Sequence, residues 1–108
     1  MNTKEIKSIE QENTDRIIAR AASLGYEIRH ITPDGRFRKI AVEPASMDGY
    51  APWIDGDFGE FNVNPVSHSG GFTIDELEKV AEGYQRAAAL IRELEATSID
   101  NLVEYHAE

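Results

Sequence analysis

One run, residues 70–96, constrains what this chain can fold into more than any other stretch: GGFTIDELEKVAEGYQRAAALIRELEA. It opens with a full helix-start signature. Thr73 is a good N-cap, and Glu76, three residues on, can reach back and close a capping box. Phe72 before the cap and Leu77 at the fourth helical position have the spacing of a hydrophobic staple. Asp75 and Glu76 put negative charge in the first turn, where the helix dipole favours it. On a helical wheel Ile74, Leu77, Val80, Ala81, Tyr84, Ala87, Ala88, Ile91 and Leu94 share one broad face, and Asp75, Glu78, Lys79, Glu82, Arg86 and Glu93 share the other. Ile74, Leu77, Ala81, Tyr84, Ala88 and Ile91 also follow heptad spacing, which a homodimer through helix 73–96 could use. The run is shorter than a coiled coil needs, so packing on a sheet is the first expectation.

The rest of the chain reads around that helix. Residues 3–24 predict a first helix with Ile6, Ile9, Ile17, Ala21 and Leu24 on a stripe interrupted at Asn13. If the first dozen residues fray, Asn13 or Thr14 is the cap, and Gly25 is the stop. Residues 26–42 predict a β-hairpin turning at Thr32-Pro33-Asp34-Gly35. A three-residue loop would pair Ile31 with Phe37, Ile28 with Ile40 and Tyr26 with Val42. It would also oppose Arg29 and Lys39, so that register needs an acidic neighbour.

Residues 43–57 read as a structured loop, with Asp55-Gly56 as a second turn between Trp53-Ile54 and Phe58. Residues 60–66 alternate as a further strand, Phe61 and Val63 inward, ended by Pro65. Residues 98–106 suggest a last short helix capped by Ser98, with Ile99, Leu102 and Val103 apolar. The expected fold is therefore a single α+β domain, 1–108. Its antiparallel sheet has about three strands, flanked by an N-terminal helix and a longer C-terminal amphipathic helix.

Composition narrows the function more by exclusion than by indication. At 108 residues the chain can bury one core, and its 41% apolar and 29% charged content is ordinary for a soluble protein. It has no long apolar run for a membrane span and no secretory signal, so a cytoplasmic location is expected. The absence of cysteine removes disulfides, thiolate metal sites and thiol nucleophiles. The net charge of −9 is unevenly placed: residues 1–42 balance at +2 and residues 43–108 at −11. Such asymmetry hints at a charged partner.

No catalytic constellation stands out. Ser69-Gly70-Gly71 precedes a helix, but Asp75 and Glu76 already hold its positive end and no phosphate-loop ending follows. Asp55, Asp57 and Glu60 fall in six residues, yet Gly59 stands where a calcium loop needs a ligand. His30, His68 and His106 lack second ligands at helical spacing. Ser67 and His68 are neighbours in sequence, whereas hydrolytic triads assemble in space. No cofactor, metal or enzymatic activity is therefore expected.

The feature with most functional content is an aromatic cluster in loop 44–60. Tyr50, Trp53, Ile54 and Phe58, rimmed by Asp48, Asp55 and Asp57, have the anchor-and-rim composition of a protein interface, unless the loop folds back as a lid. The expected function is a non-enzymatic acidic protein-binding module. It would be an inhibitor or regulator occupying the basic site of a nucleic-acid-handling protein, as phage anti-defence and immunity proteins do. Its partner-binding residues would be Asp48, Tyr50, Trp53, Asp55, Asp57, Phe58, Glu60, Glu78 and Glu82.

Two other readings remain open. The basic hairpin 29–39, with Arg29, Arg36, Arg38 and Lys39 beside Phe37, could bind nucleic acid directly. A small-ligand or enzymatic pocket could lie between sheet and loop 44–60, using His68 with Asp57 or Glu60.

Overall fold

The computed structural model describes residues 8–57 and 60–108; the expected start of the first helix, Ile6 and Phe58 lie outside them. Two helices pack on one face of an antiparallel sheet of order β4-β3-β2-β1-β5. The α+β class is as expected, but the sheet has five strands where about three were expected.

Helix α1 (Ile9–Ser23) starts well before Asn13 and Thr14: Ser8 is the N-cap, its hydroxyl accepting from the Gln11 amide at 3.1 Å. Thr14 cannot be the cap because it is buried inside the helix. Its hydroxyl donates to the Glu10 carbonyl at 2.8 Å and accepts from the Val103 amide at 2.9 Å. Gly25 stops the helix at φ +80, a conformation that other residues adopt only with strain.

Strands β1 (Tyr26–Asp34) and β2 (Phe37–Pro44) form the expected hairpin in a different register. The turn is two residues, Gly35-Arg36, with the glycine at φ +60, and Asp34 faces Phe37. Ile31 pairs with Ile40 and Ile28 with Val42, because a bulge at Arg29 resets the alternation. The bulge lets Ile28 and Ile31, three apart, both face the core. It also removes the opposition of Arg29 and Lys39. Arg29 lies between Glu27 at 3.0 Å and Glu43 at 3.3 Å, and Lys39 reaches Asp34 at 3.4 Å.

Asp55-Gly56 is not a turn. It lies inside β3 (Trp53–Asp57), which pairs with β2 on one side and β4 (Glu60–Asn64) on the other. Gly56 faces Ile40 and Phe61, and a Cβ there would collide with both side chains. A glycine used to admit neighbours looks the same in sequence as one used to turn.

Helix α2 (Ile74–Thr97) has the expected capping box between Thr73 and Glu76. Its buried face is rotated from the expected one. Val80, Gly83, Ala87, Leu90 and Leu94 are buried, whereas Ile74 is 77% exposed and Leu77 57%. A last helix over 98–106 does not form. Ile99–Asn101 makes a single 3-10 turn, and β5 (Tyr105–His106) then joins β1 at the sheet edge. The Val103 amide goes to Thr14 rather than to a carbonyl four residues back, so the helix cannot continue.

The core joins Ile17 and Ala21 of α1, Ala87, Leu90 and Leu94 of α2, and the inward strand residues Ile28, Ile31, Ile40, Val42 and Ile54. Tyr26 is buried at its edge, its hydroxyl donating to the Pro52 carbonyl at 2.8 Å. Burial pushes this hydroxyl up to about 12, against a smaller opposing pull from Arg86. The folded chain thus keeps a proton that the unfolded chain gives up near pH 10. The resulting stabilisation is complete below pH 10 and is lost as pH rises toward 12. The urea midpoint is expected to fall over that interval, and Tyr26→Phe is expected to flatten the fall while lowering stability at neutral pH by about 1 kcal/mol. An unchanged slope in the variant would refute this assignment.

Candidate interaction surface

Helices cover one face of the sheet only. Strand alternation sends Ile54 inward and Trp53 and Asp55 outward, where no helix covers them. Trp53 is 44% exposed.

The segment before Trp53 is held on two sides. Asp48 accepts from the Tyr50 amide at 3.0 Å, shaping the turn at Gly49. The backbone of Tyr50 and Ala51 then lies against Gly83 of α2, where no side chain intervenes. The Tyr50 hydroxyl donates to Glu76 Oε2 at 2.9 Å, and Lys79 Nζ stands 5.3 Å from the centre of its ring. The bond to Glu76 holds the Tyr50 hydroxyl above its ordinary range. Glu76 is held below the usual carboxylate range, first by the Thr73 amide and then by Tyr50. On the sheet side, Pro52 is buried and takes the Tyr26 hydroxyl. Tyr50 therefore acts as a clamp between loop and helix, and Trp53 emerges from the clamp onto the outer face.

A shallow groove of about 230 Å³ runs beside Trp53, lined by Ala51, Pro52, Asn64, Pro65 and Val66. Asp55 accepts from Asn64 Nδ2 at 3.2 Å, which aligns its carboxylate with the strand edge. Asp57 and Glu60 pair across β3 and β4 at the far end of the strand, about 13 Å from Trp53 by strand rise. Glu78 and Glu82 lie elsewhere, exposed on α2, with Glu82 bridged to Arg86 at 2.8 Å. The nine residues named from the sequence thus divide three ways. Trp53, Asp55 and Glu60 belong to the outer strands, Asp48 and Tyr50 to the clamp, and Glu78 and Glu82 to the helix layer. Phe58 and the side chain of Asp57 lie outside what the structure describes.

The fold also spends much of the basic hairpin. Arg29 and Lys39 are bridged to acids, and Arg20 meets Glu93 at 3.3 Å. Among the described residues Arg36 and Arg38 have no ion-pair partner, and they flank a small hollow with Phe37 and Asp100. His68 packs at a tilt against Phe72, ring centres 5.2 Å apart, in the segment that follows the Asn64 end of β4, whereas Glu60 opens that strand. Among the described residues no three metal-ligating side chains converge, and no helix is long and apolar enough to cross a membrane.

Sequence reasoning missed Leu90 and the close backbone approach of Tyr50 and Ala51 at Gly83. Gly83 carried a signal, since a glycine inside a strong helix costs about 1 kcal/mol and usually admits something close. Comparison with known protein families, curated proteins and solved structures finds no match to this chain.

Proposed function

We propose that this protein is a non-enzymatic binding module that engages another protein through the outer sheet face around Trp53. The observation carrying this reading is a large aromatic side chain left open on an uncovered sheet, beside a groove and the Asp55 carboxylate. Tryptophan contributes disproportionately when an interface buries it, and a carboxylate rim favours a partner with basic residues around an apolar slot. A protein whose basic surface ordinarily meets phosphate has that character, so inhibition or regulation of a nucleic-acid-handling protein is the role proposed. The net charge of −9 would speed such an encounter at low salt. Direct nucleic-acid binding is less well supported, because two of the hairpin's four cations, Arg29 and Lys39, are already bridged to acids and the net charge is −9.

The test is capture from lysate on immobilised wild-type chain and on Trp53→Ala and Asp55→Lys variants, at low and high salt. The expected result is a protein retained at low salt, released at high salt, and bound at least about tenfold more weakly by Trp53→Ala. Equal retention by both variants would exclude this face. Retardation of short RNA or DNA by the wild-type chain would favour the hairpin instead.

A further inference from the structure

One flank of α2 is open at Ile74, Leu77, Ala81 and Ala88, half-buried at Tyr84 and Ile91, and apolar as far as Glu95. Ile74, Leu77, Ala81, Tyr84, Ala88 and Ile91 run along it at heptad spacing, beside Val63, which is 37% exposed on edge strand β4. The stripe has two dissimilar halves. Ile74 and Leu77 lie on the turns N-terminal to Gly83, where α2 meets the Tyr50-Ala51 loop, and both stand mostly in solvent. Toward the C-terminus, Val63, Tyr84, Ala88 and Ile91 line an open groove of about 440 Å³, to which Arg92 and Glu95 bring one charge of each sign. One half of the stripe projects and the other is hollow.

We infer that a second copy of this chain covers this flank in antiparallel two-fold pairing, each copy's projecting Ile74 and Leu77 filling the other's groove. A register that sets Leu77 against the partner's Ala88 also sets Ile74 against Ile91 and Ala81 against Tyr84. Large residues then meet small ones in two of the three layers. The charges select the same orientation. Glu78 and Arg92 both border the stripe on its solvent side, and neither has an ion-pair partner among the described residues. Helical side chains lean toward their own N-terminus. In this register Arg92 therefore leans toward the level of Ala88, while Glu78 of the facing helix leans toward the same level from the opposite direction. The two-fold axis makes that ion pair twice. A parallel pairing would instead bring the two acidic helix starts together and leave both grooves empty. This interface lies on the helix layer, away from Trp53, so the inference does not depend on the function proposed above.

The full chain is expected to sediment as a dimer in analytical ultracentrifugation, over a range from micromolar to hundreds of micromolar. Leu77→Glu, at an exposed position, is expected to give a monomer with an unchanged circular dichroism spectrum. Glu78→Arg and Arg92→Glu are each expected to weaken the dimer about tenfold, and the double swap to restore it. Because the chain has no cysteine, Leu77→Cys and Ala88→Cys variants can be mixed and oxidised. The expected product is a 77–88 cross-link between copies in preference to 77–77 or 88–88. A wild-type monomer at every concentration overturns the proposal and leaves the flank to a different occupant. A dimer with no charge-swap rescue, or with predominant 77–77 cross-links, overturns the antiparallel arrangement.

Discussion

Leu90→Ala is expected to destabilise the fold by about 3 kcal/mol, whereas Leu77→Ala on the same helix should change monomer stability by less than about 1 kcal/mol. Leu90 has no exposed surface and packs where α2 meets the sheet, so truncation leaves a cavity among Ile, Val and Leu side chains that cannot collapse fully. Leu77 is mostly in solvent, and removing it opens no cavity within the chain. Urea denaturation checks this, with the midpoint reporting stability and the slope confirming an unchanged transition. The comparison should be made at a concentration where any dimer has dissociated, because burial by a second copy would raise the cost at Leu77. Equal losses at the two positions would mean that α2 presents a different face to the sheet.

The second large effect is expected at Gly83. Alanine there should favour the helix by about 1 kcal/mol on propensity alone. Its Cβ, however, would stand 2.5 Å from the Tyr50 carbonyl oxygen and 3.0 Å from Ala51 Cα. Both are backbone atoms, so no side chain can rotate away, and either the loop lifts or the helix shifts. A net loss of about 2 kcal/mol is expected for Gly83→Ala. A blue or red shift in Trp53 fluorescence should accompany it, because the displaced loop leads directly into Trp53. Ala81→Gly, at a position exposed in the monomer, serves as the reference below the concentration at which any dimer forms, and should cost only the propensity difference of about 1 kcal/mol. A stabilised Gly83→Ala variant would mean that the loop does not rest on α2.

How far the fold could be read from the sequence depended on the range of the interaction. Local signals were legible. The capping box at Thr73 and Glu76, the stop at Gly25 and the existence of the first hairpin all depend on groups within a few residues of one another. What failed was decided across the chain. The face of α2 was misjudged because alanine and leucine recur all around the helix, and its rotation is fixed by distant partners, the loop at Tyr50 and Ala51 seating on Gly83 and the core receiving Leu90 and Leu94. The hairpin register failed because a bulge at Arg29 is invisible to a rule of strict alternation.

The candidate surface was legible in part for the same reason. Trp53 and Asp55 were named from composition, and alternation alone puts them outward once β3 is known to be a strand. Tyr50 looked equivalent to Trp53 in sequence. Only its distant partners, Glu76 and Lys79, show that it fastens the loop.

The one-sided covering of the sheet has a consequence for how tightly this protein can hold a target. Pairing through the helix layer about an axis perpendicular to the sheet would leave two tryptophan-bearing faces directed the same way. A target with two suitably spaced basic sites would then be gripped twice, the second contact forming at high effective concentration. Avidity from such linkage can exceed single-site affinity by about 10²–10⁴ without any new contact. A small, weakly binding domain would in that way act as a strong bivalent ligand, and dilution below its own dissociation point would switch that strength off.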